Sequence, residues 1–183
     1  MKVSNMKRQK GFTITELMLV LGVAAVIIAA AFMGYKTLSS NNTDNQNMSA
    51  TINLVVAVKN KWQGVGSYAA ITSAGVNTAG LVSKPLTWDG TNINNAYNKT
   101  IVFVGVANNF VGQISLPPAN CLEMVGALDG AAYRIDVDTA GVAPGATEDA
   151  VKTVKSATTG TIDPVKSNTQ CGGATAVITA FVK

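Results

Sequence analysis

The residue whose chemistry stands out in this sequence is Glu16, a lone carboxylate at the head of an apolar run. Residues 17–35 contain no charged residue and no Ser, Thr, Asn or Gln. A charged side chain at the centre of a membrane costs about 2.5–3.5 kcal/mol on insertion scales, and less near the interface. The Glu16 carboxylate therefore needs a cation as its partner if it leaves water. The positive end of the helix dipole acts in the same direction.

The apolar run itself predicts a membrane-spanning helix. Roughly 20 apolar residues in a helix cross the hydrocarbon core of a bilayer, so residues 17–35 are just long enough. Positive charge ahead of an apolar helix keeps that end in the cytoplasm. Four cations precede the run, namely Lys2, Lys7, Arg8 and Lys10. The sequence thus predicts a cytoplasmic N-terminus and an exported C-terminal part.

The order of these features resembles the N-terminus of a type IV prepilin. A short basic leader ends in Gly11, and Phe12, three further residues, Glu16 and the apolar run follow. The resemblance implies that a dedicated membrane peptidase cleaves between Gly11 and Phe12 and then N-methylates Phe12. It also implies that Glu16 faces the terminal amine of a neighbouring subunit in a filament. That amine would be the cation that the carboxylate needs.

Two other classes of protein place basic residues before an apolar run. A secretory signal peptide would be cut near the small residues 29–31, but its apolar core is usually about 7–15 residues long, which is shorter than this run. A plain membrane anchor explains the run but not the motif ahead of it. N-terminal sequencing separates the three classes, since it would give Phe12 for a prepilin, Phe32 for a secreted protein and Met1 for an anchor.

The charge balance argues against a protein that binds nucleic acid through a broad basic field. The chain of 183 residues has a formal charge of +4, but the leader holds four of its 14 cations. Without residues 1–11 the chain would keep ten cations and ten anions. Because affinity for nucleic acid depends on phosphate neutralisation by an excess of positive charge, no such partner is predicted.

The chain has two cysteines, Cys121 and Cys171, which lie 50 positions apart. If the C-terminal part is exported, an oxidising compartment favours a disulfide between them, which would stabilise the fold by roughly 4 kcal/mol in the chain-entropy model. Two free buried thiols are the alternative. The sequence contains no His, so it offers neither a usual zinc site nor a Ser-His-Asp triad. We predict no metal, no cofactor and no enzymatic activity.

A long helix is predicted from Phe12 to Trp62. After an Asn-rich stretch, apolar residues recur at helical spacing and form a stripe that needs a cover, namely Met48, Ile52, Val55, Val56 and Trp62. Asn favours turns over helix, so two helices with a kink near residues 41–47 are the alternative. Gly64 and Gly66 are expected to end the helix.

The remaining residues predict an antiparallel sheet with short helices. Strands are expected at residues 100–106, buried on both faces, and at 110–115, 131–137 and 175–182. Residues 67–88 are predicted as a loop with short helices near 68–71 and 76–82. A capped helix is expected at 147–155 and a loop at 158–170.

Residues 114–125, ISLPPANCLEMV, resemble the type IVb pilin pattern of a strand, a proline and a helix that bears the first disulfide cysteine. The apolar face of that helix is predicted to hold Cys121, Leu122, Val125 and Leu128. The resemblance implies that a Cys121–Cys171 disulfide bounds the variable D-region. The short leader and Phe as first mature residue are commoner in type IVa pilins.

Two pairs of acidic residues have a spacing that could serve a chemical site. Asp136 and Asp138 share one strand face, where paired carboxylates could act as acid and base, but a solvated strand end is the favoured interpretation. Glu148 and Asp149 are assigned to the start of the predicted helix at 147–155, where negative charge complements the dipole.

The sequence therefore predicts an α+β pilin fold, with a long N-terminal helix packed on an antiparallel sheet. Residues 1–11 are the predicted leader, 12–35 the transmembrane and filament-core helix, 36–63 its amphipathic half, and 64–183 the head. The expected function is that of a structural subunit of a type IV pilus, with itself, the prepilin peptidase and N-methyltransferase, the inner-membrane assembly machinery and, before assembly, the membrane as partners. A minor pilin, a type II secretion pseudopilin, and a membrane-tethered surface-binding domain are the alternatives.

Overall fold

Helix α1 spans Ile14–Trp62 in the computed structural model, which describes residues 13–173 and 176–183 without the side chains of residues 34 and 36–38. The Asn-rich residues 41–47 are helical, although their propensity favours turns. Two of them are held by tertiary contacts, because the Tyr97 hydroxyl donates to Asp44 at 2.5 Å and the Ala96 N–H donates to the Asn47 side chain at 3.0 Å. Tertiary contacts thus override local propensity here.

The chain divides into two compact units, Met1–Asn42 and Thr43–Lys183. In the first unit, residues Ile14–Met33 form 20 helical residues with a mean hydropathy of 2.5, and none of this stretch is buried. Its length and composition suffice to cross a membrane. The apolar side chains of this unit thus have no cover within the described chain.

The second unit contains a seven-stranded sheet in the order β1-β2-β3-β4-β7-β5-β6, with every neighbouring pair antiparallel. The chain order of its elements after α1 is α2 Ser73–Thr78, β1 Thr87–Trp88, β2 Ile93–Asn94, β3 Thr100–Gly105, β4 Phe110–Leu116, α3 Pro118–Ala127, β5 Arg134–Asp138, β6 Thr153–Lys155, α4 Pro164–Cys171 and β7 Ala176–Val182.

The core of the second unit lies between one face of the sheet and the C-terminal part of α1. The buried stripe of α1 runs through positions 47, 51, 54, 55 and 58, which is helical spacing. Val56, which the sequence assigned to this stripe, is 37% exposed. A Cβ added to Gly112 of β4 would lie 3.3 Å from the ring of Phe103, its partner on β3, and 3.8 Å from the Val55 side chain of α1. The Phe103 ring thus packs over Gly112, where α1 meets the sheet.

Several sequence-based expectations for the head are wrong. Strand β3 is buried on one face only, since Ile101 and Phe103 are buried while Val104 is 37% exposed. Residues 147–150 form no helix and lead into β6, and the expected loop at 158–170 contains α4. Of the predicted short helices at 68–71 and 76–82, only α2 forms nearby. The hairpin of β3 and β4 and the final strand β7 are confirmed.

Candidate functional site

Thr13 and Glu16 form a reciprocal pair of caps at the start of α1. The Thr13 N–H and the Thr13 hydroxyl both donate to Glu16 Oε2 at 3.0 Å, and the Glu16 N–H donates to Thr13 Oγ1 at 3.3 Å. This is a capping box, in which a Thr and a Glu three residues later satisfy N–H groups that the helix leaves unpaired. The Thr-x-x-Glu spacing is visible in the sequence, but from the sequence we considered only the helix dipole and a neighbouring subunit as partners of Glu16.

The capping box leaves one oxygen of the carboxylate available. All the hydrogen bonds to Glu16 side-chain oxygens among the described residues go to Oε2, and Oε1 accepts none from them. A carboxylate can accept bonds on both oxygens, so Oε1 can receive a donor from outside the chain while Thr13 holds Oε2. The predicted cleavage point, Gly11 and Phe12, lies outside the described residues.

The helix that carries Glu16 exposes apolar side chains around its whole circumference. The exposed fraction of the residue is 69% at Met18 and Leu19, 70% at Val26 and 71% at Phe32. A helix that is apolar all round belongs in a membrane or in the centre of a larger assembly. In the isolated chain, Glu16 therefore lies at the start of an exposed apolar surface that needs a membrane or other helices to cover it.

Cys121 and Cys171 are joined in a disulfide, as the sequence predicted. The bond links α3 to the last residue of α4 with the two Cα atoms 5.6 Å apart. It closes a segment that contains β5, β6 and α4 and is therefore expected to stabilise the head by roughly 4 kcal/mol in the chain-entropy model. The cap of α4 was readable in the sequence but overlooked: Asp163 accepts the N–H groups of Val165 and Lys166, and Pro164 is the first helical residue.

The expectation that the carboxylates on β5 lie at a solvated strand end is wrong for Asp136. Asp136 is 1% exposed, and both of its oxygens accept bonds from the guanidinium of Arg134. Asp138 pairs with Lys152 at 2.6 Å, and this hydrogen bond is the main cause that lowers the pKa of Asp138. Because Asp136 is enclosed by a cation, the two carboxylates cannot act as an acid–base pair.

The predicted helix-terminus role of Glu148 and Asp149 is likewise wrong. Glu148 accepts the N–H of Ala157 at 2.6 Å and the hydroxyl of Ser156 at 2.8 Å, which lowers the pKa of Glu148. Asp149 accepts the Val151 N–H at 2.8 Å, which lowers the pKa of Asp149. These carboxylates cap turns in a loop. Across the described part of the chain, no group of three or more His, Cys, Asp or Glu residues is placed to hold a metal ion.

Residues 6–32 match a family model, the prokaryotic N-terminal methylation motif. Over 120 residues the chain is 27% identical to the major structural subunit of bundle-forming pilus from Escherichia coli O127:H6 (strain E2348/69 / EPEC), and equally to that from Escherichia coli O111:H-. The alignment covers 65% of this chain and 55% of each relative, so the chain spans about half the length of the curated relatives it matches.

A crystal structure of TcpA, a type IV pilin from Vibrio cholerae El Tor biotype, is similar to the chain with a TM-score of 0.53. The two share 16% sequence identity, and the match covers 75% of this chain and 99% of that one. At this identity the likeness shows the fold. The chain thus carries the prepilin methylation motif, is similar in sequence to a major pilus subunit and has the fold of a type IV pilin.

Proposed function

We propose that this chain is a type IV pilin, the structural subunit of a type IV pilus, and that it polymerises through its N-terminal helix into a surface filament. The observation that carries the proposal is the pairing of a 20-residue apolar helix, wholly exposed in the chain, with one carboxylate in its first turn. Burial of apolar surface is favourable by roughly 25 cal/mol per Å², so the exposed side chains of this helix favour a cover. A bundle of such helices would cover it outside the membrane.

The pathway to the filament starts in the inner membrane. The apolar helix holds the precursor in the bilayer with the basic leader in the cytoplasm, and the head is exported. The prepilin peptidase cleaves between Gly11 and Phe12 and methylates Phe12, and the inner-membrane assembly machinery then moves the subunit into the growing filament. In this scheme residues 12–35 form the filament core, 36–63 connect it to the head, and 64–183 form the outer surface.

Glu16 would set the axial register of the subunits. Its Oε1 oxygen accepts the terminal amine of a neighbouring Phe12, while Oε2 stays on Thr13. In the dry centre of a bundle an unpaired carboxylate is costly, and the loss of one partner of a buried ion pair typically costs about 3–5 kcal/mol. A subunit displaced along the filament would lose this contact, so the ion pair selects one position. The disulfide-bounded segment supports a major pilin of type IVb character.

The test compares Glu16→Gln and Glu16→Ala with the wild-type chain in cells that contain the complete assembly machinery. N-terminal sequencing and mass spectrometry measure cleavage and methylation, and electron microscopy of sheared surface material measures filaments. We expect both variants to begin at Phe12 but to form few or no filaments. Met18→Leu, an apolar exchange in the same exposed stretch, serves as the control and should assemble normally.

Each alternative function has its own outcome in this experiment. A chain that keeps Met1 and stays single in the membrane would be a tethered surface-binding domain, and the proposal would fail. A processed chain that is only a trace component of the sheared filaments would be a minor pilin or a pseudopilin. Wild-type amounts of filament from Glu16→Ala would contradict the register role of the carboxylate.

A further inference from the structure

The sheet of the head has one apolar face and one polar face. Side chains alternate along a strand, and the antiparallel registers align β4, β7 and β5 in rows. The face towards α1 is apolar throughout. It holds Phe110, Gly112, Ile114 and Leu116 from β4, Ala176, Ile178, Ala180 and Val182 from β7, and Ile135 and Val137 from β5. The opposite face holds the rows Val111–Phe181–Arg134, Gln113–Thr179–Asp136 and Ser115–Val177–Asp138. Six of these nine residues are polar.

A polar face of this kind is normally in contact with water, but here the loop between β5 and β6 covers part of it. We call residues 139–152 the strap. Thr179 and Asp136 beneath it are 0% and 1% exposed. None of the fourteen residues of the strap is itself buried, so the strap contributes no fully buried apolar side chain.

Polar latches hold the strap to the sheet. The Gln113 side-chain amide donates to the Val142 carbonyl at 3.0 Å, and the Val142 N–H donates to the Thr179 hydroxyl at 3.0 Å. The Arg134 guanidinium donates to the carbonyls of Ala146, at 2.6 Å, and Thr147, at 2.8 Å. At the C-terminal end of the strap, the Lys152 ammonium forms an ion pair with Asp138 of β5.

We propose that the strap is a lid that opens as a unit while the rest of the head stays folded. Water can replace each latch, because every partner is a carbonyl, an amide, a hydroxyl or a charged group. Opening exposes a face whose side chains are mostly polar, and it leaves the apolar face under α1 untouched. Local units with few buried apolar contacts open at lower free energy than the core does. We therefore expect the free energy of opening the strap to be lower than the free energy of unfolding the sheet.

Two neighbouring positions on β7 provide the test, although at Thr179 the hydroxyl that accepts the Val142 N–H is replaced by a thiol, a weaker acceptor. Thr179→Cys places a thiol under the strap, and Ala180→Cys places one on the opposite face, under α1; both parent residues are 0% exposed. Cys121 and Cys171 are bonded to each other and do not compete for the reagent. In the folded full-length mature chain in detergent, we expect an alkylating reagent to modify the Thr179→Cys thiol at least about tenfold faster than the Ala180→Cys thiol. Equal rates would overturn the proposal.

Loosening the latch provides a second arm. A Cβ at Gly141 would lie 2.3–2.7 Å from the end of the Gln113 side chain and so displace its amide from the strap. Gly141→Ala should therefore raise the alkylation rate of Thr179→Cys further and leave that of Ala180→Cys unchanged. Gly130→Ala, whose Cβ would meet nothing within 4 Å, is the control. An equal effect of both alanine variants would contradict the latch.

Hydrogen exchange of the unsubstituted chain keeps the proposal testable if a cysteine variant fails to fold. The Val142 amide should exchange clearly faster than the ladder amides of β4 and β7. Exchange of Val142 at the same rate as those ladder amides would mean that the strap opens only when the head unfolds, and the proposal would be wrong.

Discussion

The guanidinium of Arg134 lies over the ring of Phe181, with its central carbon 4.3 Å from the ring centroid. The two residues are direct cross-strand partners on β5 and β7, so the sheet register itself produces the contact. Stacking of a cation on an aromatic face contributes about 0.5–2 kcal/mol, more when desolvated. The same guanidinium holds Asp136 and the strap. One side chain thus joins the sheet, a buried carboxylate and a loop.

The first prediction concerns this buried ion pair. Arg134→Met keeps the approximate length of the side chain but leaves the Asp136 carboxylate without its cation in a site that is 1% exposed. We expect the free energy of unfolding of the head to fall by about 3–5 kcal/mol, as measured by urea denaturation of the oxidised chain. The double variant Arg134→Met/Asp136→Leu should recover part of the loss, because it removes the uncompensated charge. A double variant less stable than Arg134→Met would contradict the electrostatic explanation.

The second prediction concerns the capping box. Thr13→Val keeps the shape of the side chain and the backbone N–H but removes the hydroxyl that both donates to Glu16 and accepts from it. Loss of an N-cap typically costs about 0.5–2 kcal/mol, so fraying of the first turn of α1 should increase. Amide hydrogen exchange at residues 14–17 of the mature chain in micelles measures this fraying.

Thr13→Ser is the matched control, since it restores the hydroxyl on a smaller side chain. It should give amide protection close to that of the wild-type chain. If Thr13→Val and Thr13→Ser fray equally, the hydroxyl is not the cap.

How much of the site is readable from sequence depends on whether its signals are local. Glu16 was found because one acid interrupts a local apolar pattern, and the disulfide was found because two cysteines have few other roles in an exported domain. The start of α4 was also predictable from local sequence, because Asp163 followed by Pro164 is typical of a helix N-terminus, but we expected these residues to lie in a loop. By contrast, the covering of Asp136 was not readable, because it depends on where the loop of residues 139–152 folds in space. Strand alternation alone placed this residue at a solvated end.

The third prediction concerns the disulfide. Cys121→Ser/Cys171→Ser removes a link that closes 50 residues, and the head should lose about 2–5 kcal/mol of unfolding free energy. The measurement is urea denaturation of the double variant beside the wild-type chain with and without reductant. The reduced wild-type chain should approach the variant in stability. A reduced chain as stable as the oxidised one would show that the bond contributes nothing.

The last prediction tests the face of α3 that sequence reasoning misassigned. The sequence placed Leu122 in the core, but this residue is 49% exposed, while Met124 is 2% exposed and belongs to the hydrophobic core. A stripe at positions 121, 124, 125 and 128 has the spacing of one helix face, whereas position 122 lies a further 100° around the helix axis from 121. Met124→Ala should therefore destabilise the head by about 2–5 kcal/mol. Leu122→Ala, in the same helix, should change the stability by less than about 0.5 kcal/mol, as surface substitutions usually do. Urea denaturation of the two variants decides between the faces: a larger loss from Leu122→Ala than from Met124→Ala would mean that α3 is rotated about its axis from the position described.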